Sequence, residues 1–75
     1  MRTEEASVVL RVNGAMESRS PGITLADLIA ARAGRADRRR VAASVNGMLV
    51  PRCHWARVRL ADGDGVAILM LVHSR

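Results

Sequence analysis

The sequence has almost no aromatic residues: phenylalanine and tyrosine are absent, and Trp55 is the one tryptophan. Proteins that bind single-stranded nucleic acid usually stack bases on aromatic rings beside a basic groove. This chain does have a basic run, at residues 35–40. Because stacking rings are missing, we expect that run to be a solvated loop after a helix, and nucleic acid is not an expected partner.

Lysine is absent as well, so all twelve basic residues are arginines, and the net charge is +5. An all-arginine set is more typical of coding bias than of a recognition surface. The positive charge still favours an anionic partner, such as an acidic protein face.

Cysteine occurs once, at Cys53, so an intramolecular disulfide is excluded and stability has to come from packing. Arg52 and His54 flank Cys53, but the spaced partners of a zinc site are missing. We expect Cys53 to be a small, half-buried residue; the alternative is a thiol activated by its basic neighbours. A calcium loop starting near Asp62 is rejected because its bidentate acid would fall on His73. Neither a metal nor a cofactor is expected.

Long hydrophobic runs are also missing, since none approaches the roughly 20 residues that span a bilayer. The first five residues include two acids and lead into no apolar segment, which argues against a signal peptide. We therefore expect a cytoplasmic protein without membrane contact. At 75 residues, 49% of them hydrophobic, the chain is long enough for one packed domain, at 1–75.

The first half of the chain predicts a hairpin followed by a helix. Residues 7–13 are rich in β-branched side chains, Asn13-Gly14 is typical of a tight turn, and a more polar strand follows over 15–19. Thr24, with Asp27 three residues later, predicts the start of a helix over 24–33 that ends at Gly34.

The second half predicts another hairpin and a final strand. Strands over 41–46 and 48–50 flank Asn46-Gly47, and residues 52–56 fit one irregular helical turn anchored by Trp55. The continuous apolar run 66–72 suits a central strand that pairs in parallel with the first. The fold class is α+β: a ubiquitin-like β-grasp, with a mixed sheet of four to five strands packed on one helix.

Alternation along the last strand predicts two different faces. The side chains expected to face the helix are Val66, Ile68, Met70 and Val72. Those expected to face away are Ala67, Leu69 and Leu71, which would form a docking patch or, as the alternative, lie under a lid made by residues 52–60. Arg52 would pair with an acidic partner near this face, or else would hold backbone carbonyls.

Several motifs together resemble the ThiS sulfur-carrier family of thiamine biosynthesis over almost the whole chain. The segments that carry the resemblance are Val12-Asn13-Gly14, Thr24-Leu25-Ala26-Asp27-Leu28, Val45-Asn46-Gly47, Val50-Pro51-Arg52-Cys53-His54-Trp55 and Leu60-Ala61-Asp62-Gly63-Asp64-Gly65-Val66-Ala67-Ile68. The family commonly has Ser where this chain has Cys53, and Glu where it has Ala67.

The resemblance implies a carrier or binding protein rather than an enzyme. In the family, a C-terminal Gly-Gly enters a ThiF-like adenylating enzyme, the terminal carboxylate becomes an acyl-adenylate, and a sulfur donor converts it to a thiocarboxylate. Thiazole synthase then takes the sulfur. The resemblance therefore implies these two enzymes as partners.

The tail departs from the family pattern, because Val72-His73-Ser74-Arg75 stands where Gly-Gly is expected. Three hypotheses follow: a divergent member that docks without carrying sulfur, a carrier loaded on the carboxylate of Arg75, or a shortened form of a longer product. The alternative function is thus a non-carrier β-grasp module that docks on the same enzymes. The predicted docking residues are Arg52, Leu69, Leu71, His73, Ser74 and Arg75, and no catalytic side chain is expected.

Overall fold

A computed structural model describes residues 7–71 of the chain. Its strands are β1 (Val8–Val12), β2 (Ala15–Arg19), β3 (Val41–Val45), β4 (Met48–Leu49) and β5 (Gly65–Met70), and its α-helix is α1 (Leu25–Ala33). Two short 3-10 helices lie at Arg38–Arg40 and Arg52–Arg57. These bounds agree with the predicted elements to within one or two residues.

The five strands form one mixed sheet in the order β2-β1-β5-β3-β4. β1 pairs with β2 and β3 with β4 as antiparallel hairpins, while β5 lies in the centre, parallel to β1 and antiparallel to β3. One helix packs on one face of this sheet, so the predicted α+β β-grasp is confirmed.

Both hairpins turn through the Asn-Gly pairs that the sequence singled out. Asn13 and Asn46 have φ of 51° and 53°, and the glycines that follow them both have φ of 86°. Positive φ at both central positions is the geometry that lets a two-residue turn follow the twist of its strands.

The helix begins with the predicted capping box. The Thr24 hydroxyl accepts a hydrogen bond from the backbone N–H of Asp27, and the Asp27 carboxylate accepts one from the backbone N–H of Thr24, both at 3.1 Å. Gly34, at φ 59°, ends the helix and donates its N–H to the carbonyl of Ala30.

The core lies between α1 and one face of the sheet. Its buried members are Leu10, Val12, Leu25, Leu28, Ile29, Val41, Ala43, Trp55, Leu60, Val66 and Ile68. Trp55 anchors the second 3-10 helix, as predicted, and its indole Nε1 donates to the carbonyl of Val50 at 3.0 Å.

The segment 52–60 packs on the helix side of the molecule. The Leu25 N–H donates to the carbonyl of Val58 at 2.8 Å, and the Leu60 N–H donates to the carbonyl of Ile23 at 2.9 Å, which fixes the segment to the start of α1. The lid over the last strand that the sequence left open as an alternative is therefore wrong. No helix within residues 7–71 is long and apolar enough to cross a bilayer.

One side chain that was expected to face the helix lies on that side of the sheet but is not covered by the helix: Met70 pairs with the buried Val41. Val66 and Ile68 of β5 are buried as expected, but Met70 is 41% exposed. A helix of nine residues is about 13 Å long, whereas the six residues of β5 extend about 20 Å, so α1 is too short to cover the end of β5. Val72, expected on the same side, lies outside the described residues.

Candidate functional site

The face of the sheet opposite α1, here called the open face, is the candidate site. Strand register and side-chain alternation place ten side chains on it. They are Val9, Arg11, Met16, Ser18, Ala42, Ser44, Leu49, Ala67, Leu69 and Leu71. Most of them are apolar, although this side of the sheet is not packed against any described element.

Three leucines stand out on this face because they are large and exposed. Leu49 is 74% exposed, Leu69 59% and Leu71 53%. Single exposed leucines are ordinary, but a contiguous group on a flat sheet is a feature of interaction surfaces. The prediction that Leu69 and Leu71 point away from the helix is confirmed.

Small side chains between the leucines leave a shallow groove of about 230 Å³. Ala42, Ser44 and Ala67 form its floor, and Leu49 and Leu69 stand at its sides. The lining is almost entirely apolar, so the groove suits an aliphatic side chain from a partner surface.

Of the remaining predicted docking residues, the structure describes Arg52, and it does not place Arg52 on the open face. Arg52 is exposed, but it begins the 3-10 helix that packs against α1, in the other layer of the molecule. It makes no side-chain hydrogen bond within residues 7–71, so neither hypothesis for Arg52 gains support. His73, Ser74 and Arg75 lie outside the described residues.

β5 ends at Met70, beside the exposed Leu69 and Leu71. The Leu71 N–H donates to the carbonyl of Arg40 at 2.6 Å, which holds the end of β5 against the first 3-10 helix. Whatever follows Leu71 in the chain therefore starts beside the exposed leucines.

Polar side chains at the other end of the open face hold β5 in position. The Asn13 side chain accepts from the Ile68 N–H at 2.8 Å and donates to the Ile68 carbonyl at 3.1 Å. The Asn46 carboxamide accepts from the Gly65 N–H at 2.9 Å and donates to Asp64 at 3.0 Å. The two turn asparagines thus clamp the central strand from both sides.

Arg11 is a residue that the sequence reasoning missed. It is exposed on β1 between the buried Leu10 and Val12, so it points to the open face. The alternation of Val9 and Arg11 with Leu10 and Val12 was the available signal. The β-branched composition of this segment predicts a strand but does not show which of its side chains face the helix, so Arg11 does not stand out.

The basic run after α1 is more ordered than the predicted solvated loop, since Arg38–Arg40 form a 3-10 helix. Arg38 donates to the carbonyls of Gly34 and Ala36, and Arg39 pairs with Asp37 at 3.3 Å. The hydrogen bonds from Arg39 lower the pKa of Asp37 below its ordinary value. Two of the arginines therefore stabilise the turn itself.

Cys53 is exposed, so the prediction of a half-buried cysteine is wrong. It belongs to an outward-facing part of the second 3-10 helix, where only Trp55 is buried. Within residues 7–71, no three His, Cys, Asp or Glu side chains lie close enough together to hold a metal ion.

Comparison with known proteins adds two findings. Residues 5–73 match the family model described as the ThiS family. The chain is also similar to the solved structure of the thiamine biosynthesis protein (ThiS) from Geobacter metallireducens, with a TM-score of 0.73 and 23% identity, covering 91% of this chain and all of that one. At this identity the structural likeness establishes the fold. No curated protein matches the chain.

Proposed function

Because the chain belongs to the ThiS family, we propose that it is a sulfur carrier that receives sulfur as a C-terminal thiocarboxylate and delivers it for thiazole formation in thiamine biosynthesis. Members of this family are carriers rather than enzymes. The proposal therefore assigns this chain binding and presentation, and assigns the chemistry to its partners.

The observation that carries the proposal is the open face with its exposed leucines. A carrier has to be recognised repeatedly by enzymes that act on its end, so it needs a docking surface close to the point where the tail begins. Leu69 and Leu71 are 59% and 53% exposed at that point, next to the groove formed by Ala42 and Ala67. Burying such apolar surface on a partner is favourable by roughly 25 cal/mol per Å² before the costs of association.

The partners we propose are a ThiF-like adenylating enzyme and thiazole synthase. The rigid sheet supplies the docking surface, and the segment after Leu71 supplies the reactive carboxylate. On the adenylating enzyme, that carboxylate attacks the α-phosphorus of ATP to form an acyl-adenylate and release pyrophosphate, and a sulfur donor then displaces AMP. A thiocarboxylate is the product, and we propose a cytoplasmic location for this exchange.

Intact-mass measurement of the protein from its native host tests the proposal. The purified chain is incubated with the adenylating enzyme, ATP and a sulfur donor, and its C-terminal peptide is then mapped. We expect a species in which one terminal oxygen is replaced by sulfur. Omission of ATP is the control, because adenylation has to precede sulfur transfer.

The same measurement decides between the carrier and its alternative. The activity of the adenylating enzyme is first verified with a carrier that it is known to load. If the mass of this chain then stays unchanged, the proposed carrier function is wrong. A chain that still binds that enzyme would then be a docking module without sulfur chemistry. The mapped end would also show whether Arg75 or another residue carries the sulfur.

A further inference from the structure

Arg11 is the one charged side chain that strand register places on the open face of the described chain. Its cross-strand neighbour on β2 is Met16, and its neighbour on β5 is Gly65. The other side chains on this face are aliphatic, methionine, alanine or serine. A partner protein that covers this face also buries the positive charge. Because a buried charge has to be paired, that partner must supply a group that pairs with Arg11.

The charge of Arg11 is not neutralised by an ion pair within residues 7–71. The ion pairs of this region join Glu17 to Arg19 and Arg32, and Asp37 to Arg39. Asp64 directly precedes Gly65, the β5 neighbour of Arg11. Its carboxylate already accepts hydrogen bonds from the Asn46 side chain and from the Ala61 N–H, at 3.0 and 2.8 Å.

A second depression, of about 350 Å³, lies next to Arg11. It shares Ser44 and Ala67 with the apolar groove, so the two are continuous across the sheet. Gly65 lies in the lining of this second depression, beside Arg11. A Cβ at position 65 would meet no heavy atom closer than the Asn46 Oδ1 at 3.7 Å, so the surface at Gly65 is open.

We propose that the open face recognises two features of a partner at once: an aliphatic side chain in the groove beside Leu69, and a carboxylate at Arg11. The occupant is therefore a protein surface on which an acidic side chain lies close to an apolar one. This inference rests on the proposed function, which supplies the adenylating enzyme as the occupant. Arg11 sets specificity, since a partner without the carboxylate would bury the guanidinium unpaired.

Binding of charge variants to the purified adenylating enzyme tests the inference without any sulfur transfer. We expect Arg11→Glu to weaken the Kd at least about tenfold, because it places like charges together. Arg11→Lys should stay close to the wild type. Arg57→Glu is the matched control: Arg57 is exposed on the helix side and its reversal changes the net charge equally. We expect its affinity to stay near that of the wild type.

Salt dependence separates charge pairing from a packing effect. The wild-type affinity should fall as salt rises from low to physiological concentration, and Arg11→Gln should flatten that dependence. Thermal melting of each variant checks that it is folded, as expected for an exposed residue. Equal losses of affinity for Arg11→Glu and Arg57→Glu would overturn the inference, because the affinity would then depend on the net charge of the chain and not on the position of Arg11.

The outcome also distinguishes this inference from the proposed function. If the wild type binds but is never loaded with sulfur, the carrier function fails and the variants still decide the role of Arg11. If the wild type does not bind the enzyme at all, both are wrong. A short RNA that binds the wild type but not Arg11→Glu would contradict an acidic protein as the occupant.

Discussion

Asn13 has two roles in the first turn. Its backbone adopts a positive φ, and its side chain makes the hydrogen bonds to β5 that a longer β1 would make. β1 ends at Val12, so the N–H and carbonyl of Ile68 on that side have no strand partner. The Asn13 carboxamide accepts from one and donates to the other. Asparagine tolerates the left-handed region better than most residues, which makes both roles compatible.

We predict that Asn13→Gly lowers the free energy of unfolding by about 1–2 kcal/mol, because two hydrogen bonds are lost. Glycine takes a positive φ without strain, so this variant removes the side chain without forcing the turn out of its conformation, although glycine also loses more backbone freedom on folding. Urea unfolding followed by circular dichroism measures the change. Asn13→Asp, which keeps the acceptor but loses the donor, should fall between Asn13→Gly and the wild type. An Asn13→Gly variant as stable as the wild type would contradict the clamp.

At the scale of elements, Glu17 ties the edge strand β2 to the helix. Its carboxylate accepts from Arg19 on the same strand at 2.8 Å and also pairs with Arg32 in the last turn of α1. The Arg19 hydrogen bond is the main cause that holds the pKa of Glu17 below its ordinary value of 4.5, and Arg32 adds to it.

A lowered pKa means that the folded state binds the proton less tightly than the unfolded state. The contribution of Glu17 to stability is therefore present at pH above 4.5 and is lost as the pH falls through the lower, folded-state pKa. We predict that Glu17→Gln lowers stability at pH 7 by less than about 1 kcal/mol, since the pair is partly exposed. The difference from the wild type should shrink in acid.

Melting curves of the two proteins at neutral and acidic pH measure this difference. Arg32→Gln serves as a second variant, because it removes only the contact between β2 and α1 and leaves the Arg19 hydrogen bond. If the difference in melting temperature between the wild type and Glu17→Gln grew as the pH fell, the ionised Glu17 would not be what stabilises the fold.

Most elements could be predicted from the sequence because their signals are local. Asn-Gly pairs, the Thr24 cap and the apolar run of β5 act within a few residues, and the structure has all three. The exposure of Met70 depends instead on the length of α1. The position of residues 52–60 depends on the side of the sheet on which Trp55 packs. Those are tertiary properties, so the sequence could predict the side on which Met70 lies but not its exposure, and it could not decide whether residues 52–60 cover the last strand.

The site was only partly predictable for a similar reason. Leu69 and Leu71 follow from simple alternation along one strand, and the structure places both on the open face. Arg52 was expected near that face, but its segment packs against the start of α1 instead. Arg11 needs the register of β1 against β5 to be known before its position on the face is evident.

At the scale of the whole molecule, the decisive feature is that residues 7–71 cover only one face of the central sheet. In this part of the chain, one α-helix and a small core cover one side of β1, β5 and β3. The other side is left apolar, with a groove and a single positive charge. Such a surface is costly for a small domain to expose unless a partner covers it.

An NMR titration of the isotopically labelled chain with the adenylating enzyme that we propose as its partner tests this central claim most directly. We predict that the largest amide shifts or losses map to the open face, at Ala42, Ser44, Ala67, Leu69 and Leu71. The amides of α1 should change little. Large changes on α1 or on residues 52–57, with an unperturbed open face, would contradict the account.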